Sequence, residues 1–464
     1  MCMAGIPIGG EEEVMFRVRL PIVTIALIAL NVAIYIVSSY SNAFLSISES
    51  WVRSGGFIPI LVISDSSQLY RFLTSMFLHG NIIHIFFNMY FLYIFGRAVE
   101  NVLGSWRYLA LYMLSGFSAS VFHTVFSALQ GVASIESLSI PAIGASGAIS
   151  GVLGAYLILF PGTSLTACWW FFWFPVCYTL RAALYLVFWF VLQIIYGYTT
   201  AFTANPGIAF FAHAGGFIAG IAFLPILVSS SRLYALKMRT GFLNYMRYIL
   251  VPYRAAGLGV YAKLILGIMI ASLIAGSLYA ASSVPQEVVP TYRVDMIIHY
   301  TPLYPPVVLK TDKIEGHFIP VISGNRPRSQ YYSDINILFN RLYALGLIVN
   351  SSLAGKALHD TEISKRVNIE GVWVPVVLHI DKAVYSDNGW LEYMRGTMKT
   401  HAVKLLRGGV AELEAEIVRI YTFQLMFYTT NLELIKSLAL VSIALAIMAV
   451  YTIHRKSGEL ALIT

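Results

Sequence analysis

Residues 207–229 read GIAFFAHAGGFIAGIAFLPILVS, a stretch with no Asp, Glu, Lys or Arg and one ionisable side chain, His213. A hydrocarbon core about 30 Å thick needs roughly 20 apolar residues in a helix, so this run predicts a membrane span. Seven more runs of that kind lie at 20–40, 82–100, 106–128, 146–161, 182–203, 262–282 and 432–453. The chain as a whole is 58% hydrophobic and 12% charged over 464 residues. That balance excludes an ordinary soluble globular protein and predicts an α-helical polytopic membrane protein. Glu11, Glu12 and Glu13 precede Arg17 and Arg19, and no small-residue cleavage pattern follows the first run. The first helix is therefore expected to be retained and not removed as a signal peptide.

Residues 163–180 are apolar enough to suggest a ninth span, but they hold Trp169, Trp170, Phe171, Phe172, Trp173 and Phe174 ahead of Pro175. Tryptophan favours the headgroup level, so an interfacial segment is expected. A ninth crossing would also put Ser146 and His213 at opposite leaflets. The cysteines, Cys2, Cys168 and Cys177, imply no disulfide framework.

Between the sixth and seventh runs, Arg232, Lys237, Arg239, Arg247, Arg254 and Lys263 occur with no acidic residue among them, which predicts a cytoplasmic loop. Counting outward, Arg17, Arg19, Arg97, Arg107, Arg181, Arg455 and Lys456 share its side, while Arg53 and Arg71 lie opposite. The net charge of +8 is thus explained by topology and lends nucleic-acid binding little support. The expected plan is a cytoplasmic segment 1–19, a six-helix core 20–230, a basic cytoplasmic loop 231–261, helix 262–282, an extracytoplasmic domain 283–431, helix 432–453 and a cytoplasmic tail 454–464. The membrane expected is the plasma membrane.

Residues 284–431 carry 14 of the 23 acidic residues and 15 Lys or Arg, the balance of a soluble domain. Val294–His299 and Val372–Ile380 read as strands, and Ala411–Gln424 as a helix through the spacing of Leu413, Ile417 and Tyr421. A small α+β domain is expected. His299, His317, His359 and His379 follow no metal-ligand spacing, so they read as surface residues, and neither metal nor cofactor is expected. Asn350-Ser351-Ser352 is a glycosylation sequon on the expected outer side.

Chemistry concentrates in three places. In Gly144-Ala145-Ser146-Gly147 a serine stands at the start of a glycine-rich span. Unpaired backbone N–H groups and the positive end of the helix dipole would favour an oxyanion there. Alone, Ser146 could equally be an N-cap. His213 sits near the outer start of its span, where an ionisable side chain is costly and indicates function or a buried hydrogen bond. Gly216 and Gly220 share its helical face, and Gly147, Gly151 and Gly154 make a similar face after Ser146. Small residues at such intervals let helices approach closely, which would bring Ser146 and His213 within reach for proton transfer. Third, His84 and Asn88 fall four apart on one face, as oxyanion donors or as an interhelical hydrogen bond. No Asp lies in the first seven runs, so the unit would be a Ser–His dyad.

These motifs resemble the rhomboid family of intramembrane serine proteases over residues 20–230. The resemblance rests on Tyr70-Arg71 before Thr74-Ser75-Met76-Phe77-Leu78-His79-Gly80, on His79, His84 and Asn88, and on Gly96, Glu100 and Gly104. It continues through Gly144-Ala145-Ser146-Gly147 and Ala212-His213-Ala214-Gly215-Gly216. It implies a rhomboid-like six-helix bundle with two further helices flanking the outer domain. It also implies Ser146 as nucleophile, His213 as general base and acid, His84 and Asn88 as oxyanion donors, and Gly144, His79 and Arg71 in support. Its substrates would be transmembrane proteins entering at the fifth span. One departure is Ser150, where many members carry an aromatic residue supporting the histidine. The rival readings are an inactive relative that binds membrane-protein clients and, from other classes, a transporter. The transporter lacks charged spans, and a zinc protease lacks His-Glu-x-x-His.

Overall fold

The computed structural model describes residues 6–10, 20–129, 135–171, 174–201, 210–247, 257–284, 289–302, 310–318, 333–369, 371–405, 411–414, 417–430 and 432–462. Most of the 1–19 segment, Arg254 and the side chain of His317 lie outside this description. The chain forms two compact units, Met1–Gln286 with Leu432–Thr464, and Glu287–Asn431.

The first unit is helical. Its principal helices are α1 (Ile22–Ser39), α2 (Ile82–Leu103), α3 (Ser105–Ser127), α4 (Ser146–Leu159), α5 (Ala182–Ala201), α6 (Phe210–Leu227), α7 (Ser230–Arg247) and α8 (Val260–Ser283). Among the described residues seven helices are long and apolar enough to cross a membrane: α1, α2, α3, α5, α6, α8 and a C-terminal helix beginning at Leu434. The chain is a multi-pass membrane protein. With 14 residues α4 is shorter, rising about 21 Å. It is also the most enclosed, with every residue from Gly147 to Leu159 buried.

The two glycine faces meet. A Cβ on Gly216 would strike the Gly147 carbonyl, and one on Gly220 the Gly151 carbonyl, so α4 and α6 touch backbone to backbone. Elsewhere polar side chains tie the helices. The buried Glu100 carboxylate on α2 accepts from the Val23 and Thr24 amides at 3.0 and 2.9 Å, from Thr24 Oγ1 at 2.8 Å and from Ser105 Oγ at 2.8 Å. It thereby satisfies N–H groups that the start of α1 leaves open, where the helix dipole favours an anion.

Three local features add detail to the sequence reading. Residues 163–180, expected as an interfacial segment and not a ninth span, hold two antiparallel strands, β2 (Ser164–Phe171) and β3 (Phe174–Arg181), with β1 (Ile6–Gly10) on the other side of β2. An unbroken apolar run reads alike as a span and as paired strands, which composition cannot separate. Cys177 is disulfide-bonded and stands opposite Cys168 in the register of β2 and β3, a bond that the reading of no disulfide framework did not anticipate. Within the basic segment expected at 231–261, α7 occupies the first half.

The second unit is a separate small sheet domain. Six antiparallel strands run in the order β5-β4-β11-β8-β7-β6. These are β4 (Val289–Pro302), β5 (Lys310–Phe318), β6 (Ala357–Ile369), β7 (Val372–Tyr385), β8 (Leu391–Thr400) and β11 (Ile417–Thr430), while β9 (Val403–Leu405) pairs with β10 (Ala411–Leu413). Helix α9 (Ser333–Ala344) contributes Ile335, Leu338, Phe339 and Leu342 to a core shared with Tyr292, Val294, Met296 and Ile298. In the stretch 411–424, expected to be helical, residues 411–413 form β10 and residues 417–424 lie in β11. The four-residue apolar spacing coincided there with alternation: Tyr421, Phe423 and Leu425 all point to the core. The last helix, α10 (Leu434–Tyr451), belongs to the first unit and joins α8 through Ser442 Oγ donating to Ser277 Oγ at 2.8 Å.

Candidate active site

Ser146 is the first residue of α4. The cap position is held by Ala145 and receives no side-chain hydrogen bond, so Ser146 does not serve as an N-cap. Its Oγ lies instead 2.8 Å from His213 Nε2 on α6. The close approach of α4 and α6 makes this contact, because any side chain at Gly216 would push the two helices apart.

His213 has a second partner. Its Nδ1 is 2.9 Å from Oε1 of Gln193, a buried residue of α5. Sequence reasoning missed Gln193. The available signal was a lone amide among the aliphatic and aromatic residues of the fifth span. Ser150 turns its hydroxyl back to donate to the Ser146 carbonyl at 2.6 Å and gives the histidine no support. The ring of Trp189 lies 6.4 Å from that of His213.

Across the site stands the first turn of α2. The Asn81 side chain accepts from the His84 amide, starting the helix. The Gly80 amide donates to His84 Nδ1 at 3.3 Å. With Nδ1 accepting, Nε2 carries the proton of the neutral ring. That ring edge faces the serine: a Cβ on Gly144 would lie 2.9 Å from His84 Nε2 and 3.6 Å from Ser146 Oγ. Only glycine fits, both for this closeness and for the φ of 122° that Gly144 adopts. Asn88 lies one turn further and is buried, with Nδ2 donating to the His84 carbonyl at 2.8 Å. It makes no hydrogen bond to Ser146 among those of the described residues.

The supporting residues fix the loop. His79 is fully buried, and its Nε2 accepts from the Ala145 amide at 3.4 Å. Burial, with a smaller contribution from nearby His84, holds its imidazole down at about 3, so the lone pair stays available. Arg71 donates from Nη1 to the Arg53 and Gly56 carbonyls, each at 2.8 Å, and from Nε to Gln68 Oε1 at 2.7 Å. These bonds all lie within the first loop, which Arg71 organises. Beside Ser146 a cavity of about 40 Å³ is lined by Met76, His123, Ile143 and Ala212 among others. No group of three His, Cys, Asp or Glu among the described residues could hold a metal ion.

The arrangement is a hydroxyl hydrogen-bonded to an imidazole, at a helix start where backbone donors are unpaired and a protonated ring nitrogen faces it. Such a constellation suits acyl transfer.

The chain is similar to known proteins over part of its length. The rhomboid domain description matches residues 66–230. Over 179 residues the chain is 31% identical to RHOMBOID-like protein 6, mitochondrial, of Arabidopsis thaliana, covering 39% of this chain and 50% of that one. It is 32% identical over 146 residues to the rhomboid protease GluP of Bacillus subtilis, covering 32% and 26%. It is 27% identical over 104 residues to inactive rhomboid protein 1 of Drosophila melanogaster, covering 22% and 7%. The chain thus spans half or less of the length of each of these relatives. No solved structure matches it.

Proposed function

We propose that this chain, which belongs to the rhomboid family through residues 66–230, is an intramembrane serine endopeptidase. The observation that carries the reading is the 2.8 Å hydrogen bond between Ser146 Oγ and His213 Nε2.

In this mechanism Ser146 Oγ attacks a substrate carbonyl while its proton passes to His213 Nε2. The negative oxygen that forms is met by the Ser146 amide at the start of α4, by His84 Nε2–H and by Asn88. The His213 imidazolium then returns the proton to the leaving amine. Water, deprotonated by the same ring, attacks the acyl group, and the ring returns that proton to Ser146 Oγ as the acid leaves. The small cavity beside Ser146 suits a small substrate side chain.

The short α4 supports an intramembrane site, since a rise of about 21 Å falls short of a core about 30 Å thick. A regular helix hides its carbonyls in hydrogen bonds, so the substrate is a transmembrane protein whose span unwinds locally. The basic residues between the sixth and seventh runs and in the tail support a reading in which both termini are cytoplasmic and residues 283–431 lie on the opposite side, the membrane being the plasma membrane. The similarity to an inactive relative suggests a second reading, a client-binding protein without catalysis. The Ser146–His213 hydrogen bond favours the first.

A fluorophosphonate probe separates the two readings. Purified protein in detergent should acquire one adduct on the peptide containing Ser146, and His213→Ala should lose nearly all of it. Absence of the adduct from the wild-type chain, or equal labelling of both proteins, would contradict the assignment.

A further inference from the structure

Resting on that reading, we propose that Gln193 is the positioning residue of His213, selecting the tautomer in which the ring can act as a base. The amide oxygen of glutamine accepts and cannot donate. Facing Nδ1 at 2.9 Å, it requires the proton of the neutral imidazole to sit there, which leaves the Nε2 lone pair directed at Ser146 Oγ. In the other tautomer Nε2 would donate to the serine and could not take its proton.

The surroundings hold Gln193 in place. Phe190 of α5 stacks on Phe217 of α6 with ring centroids 4.7 Å apart, and Trp189 lies 5.7 Å from the same ring. Further along α5, Tyr198 Oη donates to the Ser272 carbonyl of α8 at 2.6 Å, tying the helix to one beyond residue 230. Gln193 is only 6% exposed. The position after Ser146 that could have supported the ring is taken by Ser150, which is engaged elsewhere. An amide gives the orientation that a carboxylate gives a Ser–His–Asp triad, without a charge in hydrocarbon. Its hydrogen bond becomes charge-assisted as the imidazolium forms, so its effect is greater in the transition state than in the ground state.

The test compares Gln193→Leu, Gln193→Met and Gln193→Glu with wild type, reconstituted in liposomes with a single-span substrate. Loss of one such hydrogen bond should lower kcat on the order of ten- to a hundredfold with KM unchanged in the Leu and Met variants. Gln193→Glu keeps an acceptor at the same reach and should restore most of the loss. Independently of turnover, 15N spectra of histidine-labelled protein should give His213 a protonated Nδ1 in wild type and a mixture of tautomers in Gln193→Leu. The signal is assigned by its absence from His213→Ala. Wild-type kcat and an unchanged 15N pattern in both apolar variants would overturn the role of Gln193. Cleavage surviving Ser146→Ala would instead overturn the underlying reading.

Discussion

His213→Ala, reconstituted in liposomes with a single-span substrate, should cleave at least about 10⁴-fold more slowly than wild type while keeping its fold. Without the imidazole, Ser146 has no base at 2.8 Å, and its hydroxyl is a weak nucleophile at neutral pH. The remaining oxyanion donors lower the barrier only after attack has begun, so they cannot compensate. Helix packing should survive, because the α4–α6 contact is made by Gly216, Gly220 and their partners and not by the His213 ring. Thermal unfolding in detergent, followed beside product formation, checks both halves. A variant that still cleaves within tenfold of wild type would remove His213 from the chemistry.

Gly220→Val should have the opposite signature, losing fold and activity together. Its Cβ would strike the Gly151 carbonyl oxygen, and a backbone atom inside a helix cannot rotate away as a flexible side chain can. The valine must therefore force α4 and α6 apart, at a cost of about 3 kcal/mol or more. Because Ser146 and His213 sit on these two helices, separation also lengthens the 2.8 Å contact. We expect a much lowered unfolding temperature and no detectable cleavage, with Gly220→Ala intermediate in both. Wild-type stability of Gly220→Val would contradict the backbone contact between the helices.

The contrast explains what was legible in the sequence. The spans were, because hydrocarbon imposes length and apolarity on each helix by itself. Ser146 and His213 could be paired because Gly147, Gly151 and Gly154 on one span and Gly216 and Gly220 on another share a periodicity. Gln193 carries no such pattern: whether an isolated amide meets the histidine depends on how α5 is rotated, a property of packing. The pairing of β2 with β3 was hidden because strands and spans are both apolar, so composition reads the same for either. In the second unit, Leu413, Ile417 and Tyr421 lie at intervals of four, a spacing that fits a helical face and also a strand face, since four is a multiple of two. The pairing of β11 with β4 and β8 decides between them, and that information lies more than a hundred residues away in the case of β4.

The most direct measurement is cleavage of a single-span substrate carrying a helix-destabilising segment by wild type and Ser146→Ala, purified and reconstituted side by side in liposomes. The account predicts product from the wild-type protein and none above background from Ser146→Ala. Product from Ser146→Ala at the wild-type rate would show that the Ser146–His213 hydrogen bond is not the seat of the reaction.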